Sequence, residues 1–241
     1  MKPILFNTAM VKAILEGKKT CTRRLIKNKY TNTDIKFWEH KGKKILVYAQ
    51  NDVSEPIHNS DGTTTYKLGW MEEIAEPFKV GDILYVRETW ANTWTPDGDI
   101  GFVYKADGEP KDFPYWGNVK QGKHEVWIPS IHMPKEAARI FLKVTSVRAE
   151  RLKDITDEGC LNEGIREFTK DGVVKKYDTE PNMHTWEKMP RTPREAFEKL
   201  WNSTLKFILK REWNGWTNLF EFNPWVWVIE FKKVEKQEIG E

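Results

Sequence analysis

The sequence predicts an α+β fold, a mixed β-barrel with peripheral helices and two insertions. Three observations point there. Short runs rich in β-branched and aromatic residues are separated by turn signals, a few helical segments carry caps, and neither an internal repeat nor a linker divides the chain. One domain over 1–236 accounts for this, with insertions at about 27–70 and 166–221 and a charged tail at 237–241.

The first element is a helix from Asn7 to Gly17. Asn7 or Thr8 caps it, Met10, Val11, Ile14 and Leu15 keep helical spacing, and Gly17 stops it. Thr20 to Arg24 reads as a strand, with Thr20, Thr22 and Arg24 on one face. Residues 27–70 are polar and lack sustained periodicity, apart from a possible strand at Lys44–Tyr48 and a hairpin signal at Asp61-Gly62 with a second strand from Thr63 to Leu68. Val80-Gly81-Asp82 turns into a strand at Ile83–Arg87, and Gly101–Lys105 and Glu125–Ile128 are further strand candidates. Pro129 and Pro134 bracket a loop, and Pro134 opens a one-turn helix through Arg139. Ile140 to Val147 alternates as a strand. Thr156 caps a short helix from Asp157 to Glu163, which Gly164 ends. Residues 166–190 read as a loop. Thr192-Pro193-Arg194-Glu195 is a capping box for a helix through Phe197, Leu200, Trp201, Leu205 and Ile208. Asn223-Pro224 turns into a closing strand, Trp225–Phe231.

Composition narrows the function classes. The formal net charge is +3 over 241 residues, which is no argument for nucleic acid by itself. Cys21 and Cys160 form no CxxC pair and imply no disulfide framework. Neither a signal peptide nor a membrane-length apolar run occurs, so the expectation is a cytoplasmic protein with no membrane partner. The five histidines keep no zinc spacing, no Rossmann or GxSxG fingerprint occurs, and Gly17–Thr20 fails as a P-loop because it ends a helix. No metal and no cofactor is implied. The twelve tryptophans suit a core and a base-stacking platform alike.

The charge distribution is more pointed. Lys12, Lys18, Lys19, Arg23, Arg24, Lys27 and Lys29 are opposed only by Glu16, a cluster that attracts phosphate or simply forms a solvated face. Cys21 points away from Thr22 and reads as a buried thiol. Arg87, Glu88 and Trp90 either line a pocket mouth or form an internal ion pair beside a core indole. His132 between prolines either faces a pocket or is structural.

Gly17 to Arg24 resembles the signature of the ASCH domain family: Gly, any residue, Lys, then Thr and Arg at fixed offsets after a helix. Gly81–Glu88 looks like that family's second strand, Leu152–Thr156 with Glu163-Gly164 like its short helix, and Trp225–Phe231 like its last strand. The likeness covers roughly 1–26, 78–165 and 222–234, and the longer segments resemble an extended subfamily of phage and prophage genomes. The resemblance implies a PUA-like fold and recognition of RNA or a modified nucleotide. Some small members hydrolyse N-acylated cytidine with a Lys, a Thr three residues on and a Glu of the short helix. The matching positions are Lys19, Thr22 and Glu163, and Arg24 matches the signature Arg.

Amide hydrolysis needs a nucleophile, a base and an oxyanion donor. Thr22 supplies a hydroxyl, Lys19 acts as base if burial lowers its pKa, Glu163 shuttles the proton, and Arg24 holds a phosphate or oxyanion. Each has a plainer role: a lysine favourable to a helix dipole, a strand threonine, a surface glutamate. Two rival functions stand beside this one. One is a non-catalytic nucleic-acid binder using Lys18, Arg23, Arg24 and Lys27. The other is a protein–protein interaction module of phage or host origin. The sequence leaves the oligomeric state open.

Overall fold

The computed structural model of the protein describes residues 1–30, 33–40, 42–50, 57–58, 60, 64–65, 71–94, 100–108, 127–180, 184–204 and 218–239. The chain begins with strand β1 (Lys2–Leu5) and helix α1 (Thr8–Leu15). Of the two expected caps it is Asn7 that acts: its side chain accepts from the Met10 N–H at 2.9 Å. Val11, Ala13 and Ile14 are the buried face, and the amides of Lys18 and Lys19 both turn back to the Ala13 carbonyl. That reversal delivers the chain into β2 (Cys21–Leu25).

The first insertion is more ordered than its sequence suggests. β3 (Thr33–His40) pairs antiparallel with β4 (Lys43–Gln50). β5 (Ile57–His58) and β6 (Thr64–Thr65) pair as the expected hairpin. β7 (Met71–Glu73) adds a third strand beside β4. β3 escapes a periodicity reading because only Ile35 and Phe37 pack inward, between exposed Asp34, Lys36 and Trp38. The Asp61-Gly62 turn, Glu125, Leu205, Ile208, Trp213 and Trp216 lie outside the described residues.

Next come β8 (Ile83–Arg87), β9 (Trp90–Trp94), β10 (Ile100–Tyr104), β11 (Phe141–Arg151) and the short helix α2 (Asp157–Asn162). The expected loop at 166–190 contains a hairpin of β12 (Arg166–Thr169) and β13 (Lys175–Asp178). Helix α3 (Pro193–Thr204) begins at the capping box, where Thr192 Oγ1 accepts from the Glu195 N–H at 3.2 Å and Glu195 accepts from the Arg191 N–H at 3.0 Å. β14 (Trp225–Val234) closes the chain.

The architecture is α+β, mostly strands with few helices. One five-stranded sheet runs β1-β8-β11-β14-β2, with β1 parallel to β8 and every other pair antiparallel. It corrects the expected closed barrel: among the described residues no ladder joins edge strands β1 and β2. A side chain bridges them instead, for Arg24 Nη2 of β2 donates to the Leu5 carbonyl of β1 at 2.7 Å. β14 shows the period of two directly. Trp227, Ile229 and Phe231 enter one core with Phe6, Val11 and Leu142, while Val226 and Val228 enter a second with Cys160, Phe197 and Trp201. Among the described residues no helix is long and apolar enough to cross a membrane.

Candidate functional site at the seam of the sheet

The site is built from the end of α1, strand β2 and the end of α2. β2 is an outer strand. Ile26 N–H donates to the Trp225 carbonyl and Phe231 N–H to the Thr20 carbonyl. By alternation, the main-chain groups of Thr22 and Arg24 face β14, and those of Cys21, Arg23 and Leu25 face the open edge. Two glycines let α2 come close. Gly164 takes φ +98, and a Cβ there would lie 3.0 Å from Ala13 Cβ and 3.4 Å from Lys19 Cβ. A Cβ on Gly159 would lie 3.3 Å from Arg23 Nη2.

This approach buries a chain of charges. Lys19 and Glu163 are 2% and 3% exposed. Lys19 Nζ donates to Glu163 Oε2 at 2.5 Å and to the Glu163 carbonyl at 2.8 Å, and a β-bridge joins the two residues. Arg23 Nη1 reaches Glu163 Oε1 at 3.3 Å, and its Nε and Nη2 hold Glu150 Oε1 at 2.9 and 2.7 Å. Arg148 continues the chain to Glu150 and to Glu230. Burial works against the Arg23 charge, yet Glu163 and then Glu150 outweigh it and hold the guanidinium pKa above its usual value. The same burial, helped by Glu163, pushes the Cys21 thiol up to about 12, so Cys21 is the inert thiol its strand position suggested.

A cavity of about 140 Å³ opens beside this chain, at the gap between β1 and β2. Leu5, Thr22, Arg24 and Glu163 line it, and α3 supplies a wall of Phe197, Leu200 and Trp201. Lys19 does not line it and touches it only through Glu163. Thr22 is 3% exposed. Arg24 has no carboxylate partner among the described residues. Its guanidinium lies 5.3 Å from the Phe6 ring centre, and burial lowers its pKa despite Glu163. Trp201 has a buried indole N–H that finds no hydrogen-bond partner among the described residues.

The structure thus brings Lys19, Thr22, Arg23, Arg24 and Glu163 together and leaves the other candidates elsewhere. Lys18 is exposed and pairs with Glu16 at 3.1 Å. Arg23, expected among the nucleic-acid contacts, is buried and committed to two carboxylates. Arg87 donates to the Met133 and Ile131 carbonyls. Glu88 is buried against Arg139, and Trp90 packs on Phe102 with its own N–H unpaired among the described residues. Among the described residues these three build an internal strut, and none of them lines a described cavity. His132 is exposed on the Pro129–Pro134 loop. Sequence reasoning missed Glu150 and the α3 wall. The only signal for the latter was the apolar stripe Phe197, Leu200, Trp201 inside the second insertion. Among the described residues no cluster could hold a metal ion. No family model matches the chain, and no curated protein or solved structure is significantly similar to it.

Proposed function

We propose that the seam cavity takes a nucleobase and removes an acyl group from its exocyclic amine, on a fold of the ASCH, PUA-like type. The carrying observation is the 2.5 Å contact of buried Lys19 with Glu163, which lines one small cavity with Thr22. At about 140 Å³ the cavity lies below the roughly 300–1,000 Å³ of ordinary small-molecule pockets. It suits one base-sized group, flanked by Phe197 and Trp201.

In this reading Thr22 Oγ1 attacks the acyl carbon and its proton passes to Glu163. Arg24, whose guanidinium donates to the Leu5 carbonyl and has no carboxylate partner among the described residues, faces the developing oxyanion. Collapse breaks the C–N bond, and Glu163 returns the proton to the leaving amine. Water then cleaves the Thr22 ester, giving one proton to Glu163, which passes it back to Thr22 as the acid departs. Lys19 is a positioning residue: it holds the Glu163 carboxylate from behind, with its ammonium 5.6 Å from the Phe6 ring centre.

The test is a chromatographic hydrolysis assay on N-acylated cytidines. Thr22→Ala and Glu163→Gln should each lower kcat/KM by about 10³-fold or more. Lys19→Met should lower it by about 10–100-fold and shift the pH profile, as loss of an orienting partner does. A folded wild type without turnover, or a Thr22→Ala variant that keeps it, would remove the hydrolase reading.

A further inference from the structure

The largest described opening is not the seam cavity. A groove of about 690 Å³ lies between the β3-β4-β7 sheet and the far half of β11 and β14. Beyond Val144 that half of β11 has no second ladder among the described residues, because the bonds from β8 and the turn before it end there. Leu46, Ile74, Ala149 and Trp227 give the groove an apolar floor. Its charged lining comes from three separate elements: Lys43 and Lys44 of β4, Lys79 before β8, and Arg148 of β11, against Glu73 and Glu76.

These cations are not equally available. Arg148 is committed to Glu150 and Glu230. Lys43, Lys44 and Lys79 are exposed and have no carboxylate within ion-pair distance among the described residues. Lys44 rests instead over the Phe37 ring, 4.3 Å from its centre. An apolar, partly aromatic floor beside ammonium groups not held in direct ion pairs among the described residues matches a ligand with flat apolar faces and repeated anionic groups. The volume falls within the usual range for ligand sites. The groove also adjoins the seam, since Trp227 of its floor is the cross-strand neighbour of Arg24.

We infer that this groove binds the backbone of a single-stranded nucleic acid, with phosphates on Lys43, Lys44 and Lys79. Lys43 and Lys44 belong to the first insertion and Lys79 lies outside it, and the site is independent of any chemistry in the seam cavity. The decisive experiment is fluorescence anisotropy with a labelled single-stranded oligonucleotide, in RNA and DNA arms, titrated at several salt concentrations. Inorganic phosphate and a nucleoside monophosphate serve as competitors. The variants are the triple Lys43→Glu, Lys44→Glu, Lys79→Glu, its milder Gln counterpart, and Lys19→Met, each checked for folding by circular dichroism. The triple reversal should weaken binding at least about tenfold and flatten the salt slope by about 2, since each lost phosphate contact removes roughly 0.7. The Gln variant should show a smaller shift of the same sign, Lys19→Met should bind like wild type, and millimolar phosphate should compete poorly. Binding unchanged by both triple variants, or no wild-type binding at 50 mM salt, would overturn the assignment. A wild type that binds the oligonucleotide but hydrolyses no N-acylated cytidine would count against the seam reading alone.

Discussion

Glu163 and Glu88 are both buried carboxylates held by arginine, and the sequence marked both as site candidates. Their surroundings differ in what is left over. Arg139 grips Glu88 through Nε and Nη2, at 2.9 and 3.1 Å, and grips Asp107 through Nη1 and the same Nη2. The Tyr104 ring centre lies 3.9 Å from the guanidinium, and none of the described cavities includes Glu88 or Arg139. Around Glu163 the charges are also paired, but a cavity remains, with a threonine on its wall and a guanidinium lacking a carboxylate. Burial of charge therefore does not separate a site from a strut. Unused polar groups facing open space do.

The largest effect expected from this comparison is on stability. Removing one partner of a buried pair costs about 3–5 kcal/mol, because the other charge stays behind. Lys19→Met should approach that figure in urea unfolding, since the Lys19 side chain has no exposure and Glu163 almost none. Arg139→Met should cost less, about 1–3 kcal/mol, because Arg139 is partly exposed and Glu88 can take up a proton. Equal losses in the two variants would erase the distinction between the clusters.

Much of this was legible in the sequence, for physical reasons. α1, β2, α2 and the start of α3 announce themselves by caps, spacing and local pattern, whereas Lys19 and Glu163 were linked only by what a resemblance implied, and no sequence pattern showed that they meet. β3 and the β12–β13 hairpin were not legible, because few of their residues reach a core. The open seam was hidden too: whether two edge strands join by a ladder or by one arginine depends on the curl of the whole sheet. Nor could the α3 wall be foreseen, because Phe197 and Trp201 meet β2 only across a long stretch of chain.

A second, smaller effect separates the clusters by pH. Burial raises the Glu88 pKa above its ordinary value near 4.5, and the hydrogen bond from Arg139 only partly offsets it. The folded state therefore prefers protonated Glu88. Its contribution is fully present below pH 4.5 and is lost as pH rises through the raised folded value. Glu88→Gln should remove that loss, so variant and wild type diverge in urea midpoint as pH rises from about 4.5 and run parallel once Glu88 is fully ionised. Hydrolysis should stay within about twofold of wild type, since Glu88 does not line the seam. Parallel stability curves across the whole range would refute the burial argument.

The smallest effect tests whether the Trp90 strut holds its place by packing alone. Trp90 is 6% exposed, packs on Phe102 with ring centres 5.6 Å apart, and has an indole N–H that meets no acceptor among the described residues. Trp225 is the contrast, for its N–H donates to the Ile35 carbonyl at 2.7 Å and pins the insertion sheet to β14. Phenylalanine keeps an aromatic ring at both positions and deletes the donor. Trp225→Phe leaves a carbonyl without its partner and should cost about 1–3 kcal/mol. Trp90→Phe deletes a donor that was already unpaired, so its penalty comes only from the lost ring volume and should stay near 1 kcal/mol. If Trp90→Phe proves the costlier change, the indole N–H has a partner in solution, and the Trp90 strut does not hold its place by packing alone.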